Sequence, residues 1–329
     1  MTASTRRSST MHPRRLAILA LLIVVAGTHE ASAQTLFDAL RARREHQQQA
    51  QRDSAPAADG LETGEGAPGK FALPPSARFE RDVAYGSDPA QRLDVYMPEK
   101  ASRAPVIVMV HGGAWMIGDK GNTGVVANKV AWWLPKGYIV VSVNYRMGRP
   151  PQPLEQADDV ARALAFVQER AATWGGDADR VVLMGHSSGA HLVALLAADP
   201  AIAARAKARP WLGTVALDSA ALDVVTIMEG RHARFYDRVF GSDRARWAQS
   251  SPLHRLNGRA APILLVCSKR REDSCSAARA FADKVLASGG RAEVAPVDLN
   301  HGEINAELGR SSGYTETVQG FIRSLGLPG

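Results

Sequence analysis

The sequence predicts a single α/β domain with a mainly parallel β-sheet, and three observations support this fold class. From about Arg78 onward, short β-branched runs alternate with segments of helical periodicity. The runs "VIVMV", "IVVSV" and "VVLM" are continuously apolar, which is typical of strands buried on both faces. The segment "DDVARALAFVQERAATW" places its apolar residues on one helical face. With 329 residues, 45% hydrophobic and 22% charged, the composition fits a globular protein.

The N-terminal segments differ from this pattern. Several arginines precede an apolar run at 16–27, and Ala-Ser-Ala at 31–33 fits a cleavage site, so residues 1–33 are predicted to be a signal peptide. An uncleaved membrane anchor is the alternative. Residues 34–76, poor in large apolar side chains, are predicted to be a flexible linker rather than a partner-binding segment. The catalytic domain is then expected to occupy residues 77–329.

A signal peptide implies export to the periplasm or outside the cell, which in turn implies an oxidising compartment. The chain has two cysteines, Cys267 and Cys275, so the sequence favours a disulfide over two unpaired thiols. Removal of the signal, with its four arginines and one glutamate, would lower the net charge from +7 to +4 (36 − 32), and this excess is small and scattered along the chain. It therefore predicts no nucleic-acid partner, and no stable membrane insertion is expected after cleavage of the signal.

The strands and helices can be placed along the ordered part of the chain. Strands are expected at 79–84, 93–97, 106–110, 139–144, 181–184, 215–217, 263–266 and 292–297. Besides the helix above, "CSAARAFADKVLASGG" has helical periodicity and a Gly-Gly stop. Residues 224–259 interrupt the alternation and are expected to form a small helical insertion, with an ordinary crossover connection as the alternative.

Polar residues follow several of the predicted strands directly. In an open parallel sheet, ligands bind beyond the carboxyl ends of the strands. One strand is followed by a Gly-rich turn, one by a serine between glycines, one by acids and one by a histidine; the segments are "HGGAW", "GHSSG", "CSKRREDSC" and "DLNHG". These are the components of nucleophilic acyl chemistry.

The serine segment fits a nucleophile on a sharp strand-to-helix turn. The pattern G-x-S-x-G is weak alone, but here a strand precedes it and a helix follows it. Ser187 is expected at the apex of the turn, where Gly185 and Gly189 leave room for the close approach of the backbone. The backbone N–H of Ser188 then points toward the negative charge that develops on the substrate.

A general base must reach the serine hydroxyl from outside the turn. His301, on the loop after the last strand, meets this requirement, and it follows the acid in the chain order Ser, Asp, His. His186 and His191 flank the serine but are expected to point away from it. His301 is therefore the predicted base.

The acid that orients the base is predicted to follow the seventh strand. Asp273 ranks first and Glu272 second, and Asp223, one strand earlier, ranks third. A Cys267–Cys275 disulfide would fix this acidic turn.

The "HGGAW" segment is predicted to supply the oxyanion hole rather than a plain turn. Gly113 and Ala114, with Gly112 next, are small enough for their backbone N–H groups to approach a substrate oxygen. Ser188 adds a further donor, and Trp115 is expected to line the pocket.

Together, "HGGAWMIGDK", "VNYR", "MGHSSGAH", "SSPL" and "DLNHGEIN" resemble the α/β-hydrolase superfamily over about residues 78–327. More narrowly, they resemble HGG-type bacterial carboxylesterases of the hormone-sensitive-lipase-like, acetyl-xylan and feruloyl esterase-like and arylformamidase-like branch. The resemblance implies an eight-stranded, mostly parallel sheet, no cofactor or metal, and acyl-enzyme chemistry on esters. Members commonly carry Gly-x-x-Asp where this chain reads "CSKRREDSC", which leaves Asp273 and Glu272 both open.

The expected activity is that of a serine carboxylesterase acting on small-molecule short-chain, aryl or acetylated-sugar esters. An arylformamidase or peptidase with the same residues, or a catalytically silent binding protein on the same fold, are the alternatives. A missing serine, histidine or glycine would have favoured the silent protein, and none is missing.

Overall fold

The computed structural model describes residues 66–148 and 150–329, so the predicted signal peptide and most of the predicted linker lie outside the described residues. The chain divides into two units, 1–56 and 57–329, and all described residues belong to the second. Its centre is an eight-stranded sheet formed by β1 (Arg78–Ala84), β2 (Arg92–Met97), β3 (Ala104–Val110), β4 (Ile139–Val143), β5 (Gly176–His186), β6 (Gly213–Leu217), β7 (Ile263–Ser268) and β8 (Ala292–Val297).

The strand order is β1-β2-β4-β3-β5-β6-β7-β8. The pairs β1–β2 and β2–β4 are antiparallel, and every later pair is parallel. Strands β3 to β8 therefore end at the same edge of the sheet. This edge is where the residues singled out from the sequence come together.

Helices cover the sheet and connect its strands. They are α1 (Thr123–Trp133), α2 (Pro153–Arg170), α3 (Ser188–Ala198), α4 (Ala201–Arg205), α5 (Val224–Glu229), α6 (Arg234–Phe240), α7 (Arg244–Ser250), α8 (Pro252–Arg255), α9 (Glu272–Ala287), α10 (His301–Ala306) and α11 (Gly313–Ser324). The predicted helical insertion corresponds to the four short helices α5 to α8, between β6 and β7.

The core is divided between the two faces of the sheet, as the continuous apolar strands predict. On β3, Val106, Val108 and Val110 pack into one cluster. Ile107 and Met109 pack into the other, because successive side chains point to opposite faces. All five side chains are fully buried.

Several strand boundaries differ from the prediction by one or two residues, and two boundaries differ by more. Strand β5 begins at Gly176, five residues before the predicted start, because Ala104 of β3 pairs with Gly176 across a break in register. At the N-terminal side, the last part of the predicted linker contacts the domain: Gly69 N–H donates to Gly121 O over 3.3 Å, and the Phe71 ring lies 5.7 Å from that of Tyr96.

Within residues 66–148 and 150–329, no helix has the length and apolar character that crossing a membrane requires.

Candidate active site

Four polar segments meet at the carboxyl ends of the parallel strands. The loop from His111 to Trp115 follows β3, Ser187 follows β5, Asp218 follows β6, and His301 lies just beyond β8. The sheet thus brings together residues that are more than a hundred positions apart in the chain.

Ser187 lies on a tight turn between β5 and α3. Its backbone has φ 54° and ψ −117°, a conformation that L-residues rarely adopt, and its N–H donates to Leu217 O over 2.9 Å. A Cβ on Gly189 would lie 2.3 Å from Val110 O, and one on Gly185 would lie 2.4 Å from Gly189 O. Only glycines allow β3 and the turn to approach this closely, which explains the spacing seen in the sequence.

Ser187, His301 and Asp218 form a continuous chain of hydrogen bonds. Ser187 Oγ lies 2.9 Å from His301 Nε2, and His301 Nδ1 lies 2.6 Å from Asp218 Oδ2. In the tautomer that satisfies both contacts, the serine hydroxyl donates to Nε2 and Nδ1–H donates to the carboxylate. This arrangement allows the imidazole to accept the serine proton.

The position predicted for Asp273 is held by Asp218, so the predicted partner of His301 is wrong. Asp273 has a side chain that is 61% exposed, and it contacts Arg271 and the backbone N–H of Ser274 instead. Glu272 is also exposed, in the first turn of α9. Asp223 caps α5 by accepting a hydrogen bond from Thr226 N–H.

A signal for Asp218 was present in the sequence. It is the first residue after the apolar strand "GTVAL", just as His111 is the first residue after β3. The rule that polar residues at strand ends form the site therefore applies to β6 as well. Asp223, five residues later, lies beyond the strand end and caps the first helix of the insertion.

The Asp218 carboxylate accepts hydrogen bonds on both oxygens and is fully buried. Oδ1 accepts from Ser268 N–H at 2.8 Å and from Ser274 Oγ at 2.5 Å. Oδ2 accepts from Arg271 Nη1 at 2.8 Å as well as from His301. Burial opposes ionisation of Asp218, but the hydrogen bond from His301 and the charge of Arg271 outweigh it, so its pKa is lowered.

Burial lowers the pKa of His301 to about 4, although the hydrogen bond to Asp218 acts in the opposite direction. The His301 side chain is 4% exposed, and its ring centre lies 4.6 Å from that of His186. Arg271 Nη1 approaches to 2.8 Å from His301 Nδ1. Arg271 Nη1 and His301 Nδ1 donate to the same oxygen of Asp218. The positive charge of Arg271 is therefore close to the ring, and it lowers the pKa of His301 further because it disfavours a second proton on the imidazole. His301 is therefore neutral near pH 7 and can act as a base.

The two histidines beside Ser187 make other contacts. His186 Nε2 lies 2.9 Å from the main-chain oxygen of His301, which helps to hold the loop that carries this residue. His191 accepts a hydrogen bond from Trp115 Nε1–H at 3.1 Å and donates to Ser250 O at 2.7 Å. Burial lowers the pKa of His191 to about 4, so it is a neutral packing residue.

The loop after β3 has the backbone conformation of a closely packed turn. Gly113 has φ 110°, and a Cβ there would lie 2.0 Å from Ile117 O. Ala114 and Trp115 also have positive φ, at 52° and 62°. Of the hydrogen bonds among residues 66–148 and 150–329, none uses the backbone N–H of Ala114 or Ser188.

Aromatic side chains from the insertion pack against Trp115. The rings of Tyr236 and Phe240, both on α6, have centroids 6.1 and 5.2 Å from that of Trp115. Burial raises the pKa of Tyr236 to about 12. The charge of Arg271 opposes this rise, whereas the charges of Asp273 and Asp218 add to it. Trp115 and Phe240 are buried and Tyr236 is partly exposed, so Trp115 packs against the insertion instead of lining an open pocket as predicted.

Cys267 and Cys275 form a disulfide between the end of β7 and the first turns of α9, with their Cα atoms 5.0 Å apart. Both cysteines are buried, and the chain has no others.

Comparison with solved structures agrees with this architecture. Esterase B from Lactobacillus Rhamnosis superimposes with a TM-score of 0.63 at 20% identity, over 87% of this chain and 93% of that one. A truncated carbohydrate esterase from gut microbiota gives a TM-score of 0.64 at 17% identity, over 75% and 96%. The chain has the α/β-hydrolase fold.

Sequence comparison finds similarity to proteins named as esterases. Residues 93–207 match the BD-FAE family. Esterase LipC of Mycobacterium tuberculosis is 30% identical over 216 residues, 58% of this chain and 50% of that protein. A probable isoprenylcysteine alpha-carbonyl methylesterase of Oryza sativa is 36% identical over 120 residues, 36% of this chain and 28% of that protein. The chain thus spans half or less of the length of these relatives.

Proposed function

We propose that this α/β-hydrolase is a serine carboxylesterase. The observation that carries the proposal is the chain of hydrogen bonds from Ser187 through His301 to Asp218, at the strand ends where ligands of this fold bind. The similarity to proteins named as esterases supports the same class of reaction.

The geometry supports a two-step acyl transfer. Ser187 Oγ attacks the ester carbonyl carbon while His301 Nε2 takes its proton, and the carbonyl π electrons move to the oxygen. The tetrahedral intermediate then collapses, the C–O bond to the alcohol breaks, and His301 gives its proton to the leaving alkoxide. Water repeats the sequence on the acyl-enzyme, releasing the acid and restoring Ser187.

Asp218 and the backbone donors have separate roles in this mechanism. Asp218 keeps the proton of the neutral imidazole on Nδ1 and stabilises the imidazolium that forms. The N–H groups of Gly113, Ala114 and Ser188, with Gly112 as a further donor, stabilise the negative charge on the substrate oxygen.

The substrates are small esters with a short acyl chain, including aryl and acetylated-sugar esters. Tyr236, the partly exposed ring of the aromatic cluster with Trp115 and Phe240, supports contact with a flat or short apolar group.

The test of this proposal is hydrolysis of p-nitrophenyl acetate, butyrate and octanoate by the wild type and by Ser187→Ala. The wild type is expected to hydrolyse acetate and butyrate with a higher kcat/KM than octanoate. Ser187→Ala is expected to lose at least about 10³-fold in kcat. Ser188→Ala, which removes only the neighbouring hydroxyl, is the matched control and should stay within about threefold. Equal rates for wild type and Ser187→Ala would refute the esterase assignment.

We infer that the protein is exported. The disulfide supports an oxidising compartment, and the N-terminal sequence pattern fits a cleaved signal. Intact mass of the protein recovered from the periplasm or medium of a bacterial host is expected to match a chain beginning at Gln34. Recovery of only the unprocessed chain in the cytosol would contradict this inference.

A further inference from the structure

The disulfide closes a short loop whose two ends hold one oxygen of Asp218. Ser268 directly follows Cys267, and its N–H donates to Asp218 Oδ1. Ser274 directly precedes Cys275, and its hydroxyl donates to the same oxygen. The covalent bond therefore fixes the separation of the two donors.

Arg271, in the middle of the same loop, donates to Asp218 Oδ2. Together with Ser268 and Ser274, it accounts for all the hydrogen bonds to the Asp218 carboxylate that come from described residues other than His301. A loop of seven residues between the two cysteines thus determines where this carboxylate lies.

The same loop also contacts the segment that carries His301. Ser268 Oγ donates to Leu299 O at 2.6 Å, and Lys269 N–H donates to Val297 O at 2.8 Å. Arg270 Nε donates to Asp298 Oδ1 at 2.9 Å. The loop therefore connects the acid on β6 with the base beyond β8.

We propose that the Cys267–Cys275 disulfide positions Asp218 relative to His301 and that full catalytic activity requires it. The proposal rests on the proposed esterase function. Without the covalent closure, the loop gains conformational freedom, and its three donors no longer fix the carboxylate at hydrogen-bonding distance from Nδ1. A displacement of about 1 Å in such a group can cost about 10²-fold in rate.

The test compares the wild type with Cys267→Ala/Cys275→Ala, using p-nitrophenyl acetate. The double variant is expected to lose about 10- to 100-fold in kcat, with KM changed less than about threefold. Val285→Ala is the matched control: its side chain is fully buried on the same helix but far along it from the loop, so it lowers stability without releasing the loop. It is expected to retain kcat within about threefold when assayed well below its Tm.

A second comparison separates positioning from general damage to the fold. In an Asp218→Ala background, removal of both cysteines should change the residual kcat by less than about twofold, because the side chain that the loop positions is absent. The same 10- to 100-fold loss in both backgrounds, or a wild-type kcat in Cys267→Ala/Cys275→Ala, would overturn the proposal.

Amide hydrogen exchange at Ser268 gives a readout that does not depend on activity. Its N–H, bound to Asp218 Oδ1, should exchange at least about tenfold faster in the double variant and normally in Val285→Ala. If the wild type hydrolyses no ester, the proposed function fails, while unchanged exchange at Ser268 would refute the positioning role itself.

If the double variant does not fold, the wild type can be reduced with a water-soluble phosphine. The phosphine breaks the S–S bond and is oxidised to its oxide with an oxygen from water, and two thiols form. Loss of kcat in proportion to the thiols titrated, with recovery on reoxidation, is the expected result. Full activity with both thiols free would overturn the proposal.

Discussion

Replacement of Asp218 by Asn tests the geometry of the site most directly. The two donors at Oδ2, His301 Nδ1–H and Arg271 Nη1, favour the amide oxygen at that position. The amide nitrogen then faces the N–H of Ser268, and the main change at His301 is loss of the negative charge. Asp218→Asn therefore leaves an imidazolium beside the uncompensated cation of Arg271.

The size of the effect follows from these contacts. Two opposite unit charges about 4 Å apart attract each other by about 4 kcal/mol at an effective dielectric constant of about 20. At about 1.36 kcal/mol for each factor of ten, this loss corresponds to about 10³-fold in rate. Repulsion from Arg271 increases the effect, so we expect kcat to fall by about 10³- to 10⁴-fold with little change in KM.

The assay is steady-state hydrolysis of p-nitrophenyl acetate at pH 7.5–8 (a range chosen to lie well above the pKa of His301, which is about 4). Asp273→Asn and Glu272→Gln are the matched controls, because both side chains are exposed acids on the neighbouring turn. Each control should stay within about threefold of the wild type. A kcat for Asp218→Asn above one-tenth of the wild-type value, or a collapse of activity in Asp273→Asn alone, would refute the reasoning.

Three further predictions concern pH, the loop after β3 and stability. Because burial lowers the pKa of His301 to about 4 and the neutral imidazole is the base, kcat/KM should fall on the acid side with a midpoint near pH 4; a midpoint near 6.5 would contradict this. Gly113→Ala puts a Cβ 2.0 Å from Ile117 O and should lower kcat by about 10²- to 10³-fold, whereas unchanged kcat would exclude this loop from the oxyanion hole. Asp159, fully buried, accepts hydrogen bonds from Gln91 and Arg146, so urea unfolding of Asp159→Ala should show a loss of about 3–5 kcal/mol. Asp158, the half-exposed neighbour, serves as the control. An equal loss of unfolding free energy in Asp158→Ala would refute the role of the buried ion pair.

The fold could be predicted from the sequence because the patterns that indicate it are local. Continuous apolar runs such as that of β3 identify buried parallel strands, and the helical insertion is visible as a break in the alternation. The first residues of the strands were harder to predict. The first residues of β5 are polar and partly exposed, and their place in the sheet depends on pairing with β3.

The site could be predicted from the sequence in part. Ser187 and His301 could be placed together because each directly follows a strand and the topology brings the strand ends to one edge. The acid could not be chosen in the same way. Adjacent strands lie only about 4.8 Å apart, so an acid after β6 and one after β7 can both reach the same imidazole. The turn after β7 instead provides Ser268, Arg271 and Ser274, and their role depends on contacts that spacing does not reveal.

Arg271 has a consequence for the charge of the buried site as a whole. Before reaction, its cation and the Asp218 anion cancel, while Ser187 and His301 are neutral. After proton transfer, the new imidazolium and the oxyanion on the substrate also cancel, so the four side chains and the bound substrate together carry zero net charge in both states. The interior therefore never holds an unbalanced ion, although moving charge into such surroundings is otherwise costly. An acyl transfer that only redistributes charge inside a neutral cluster should be nearly insensitive to ionic strength.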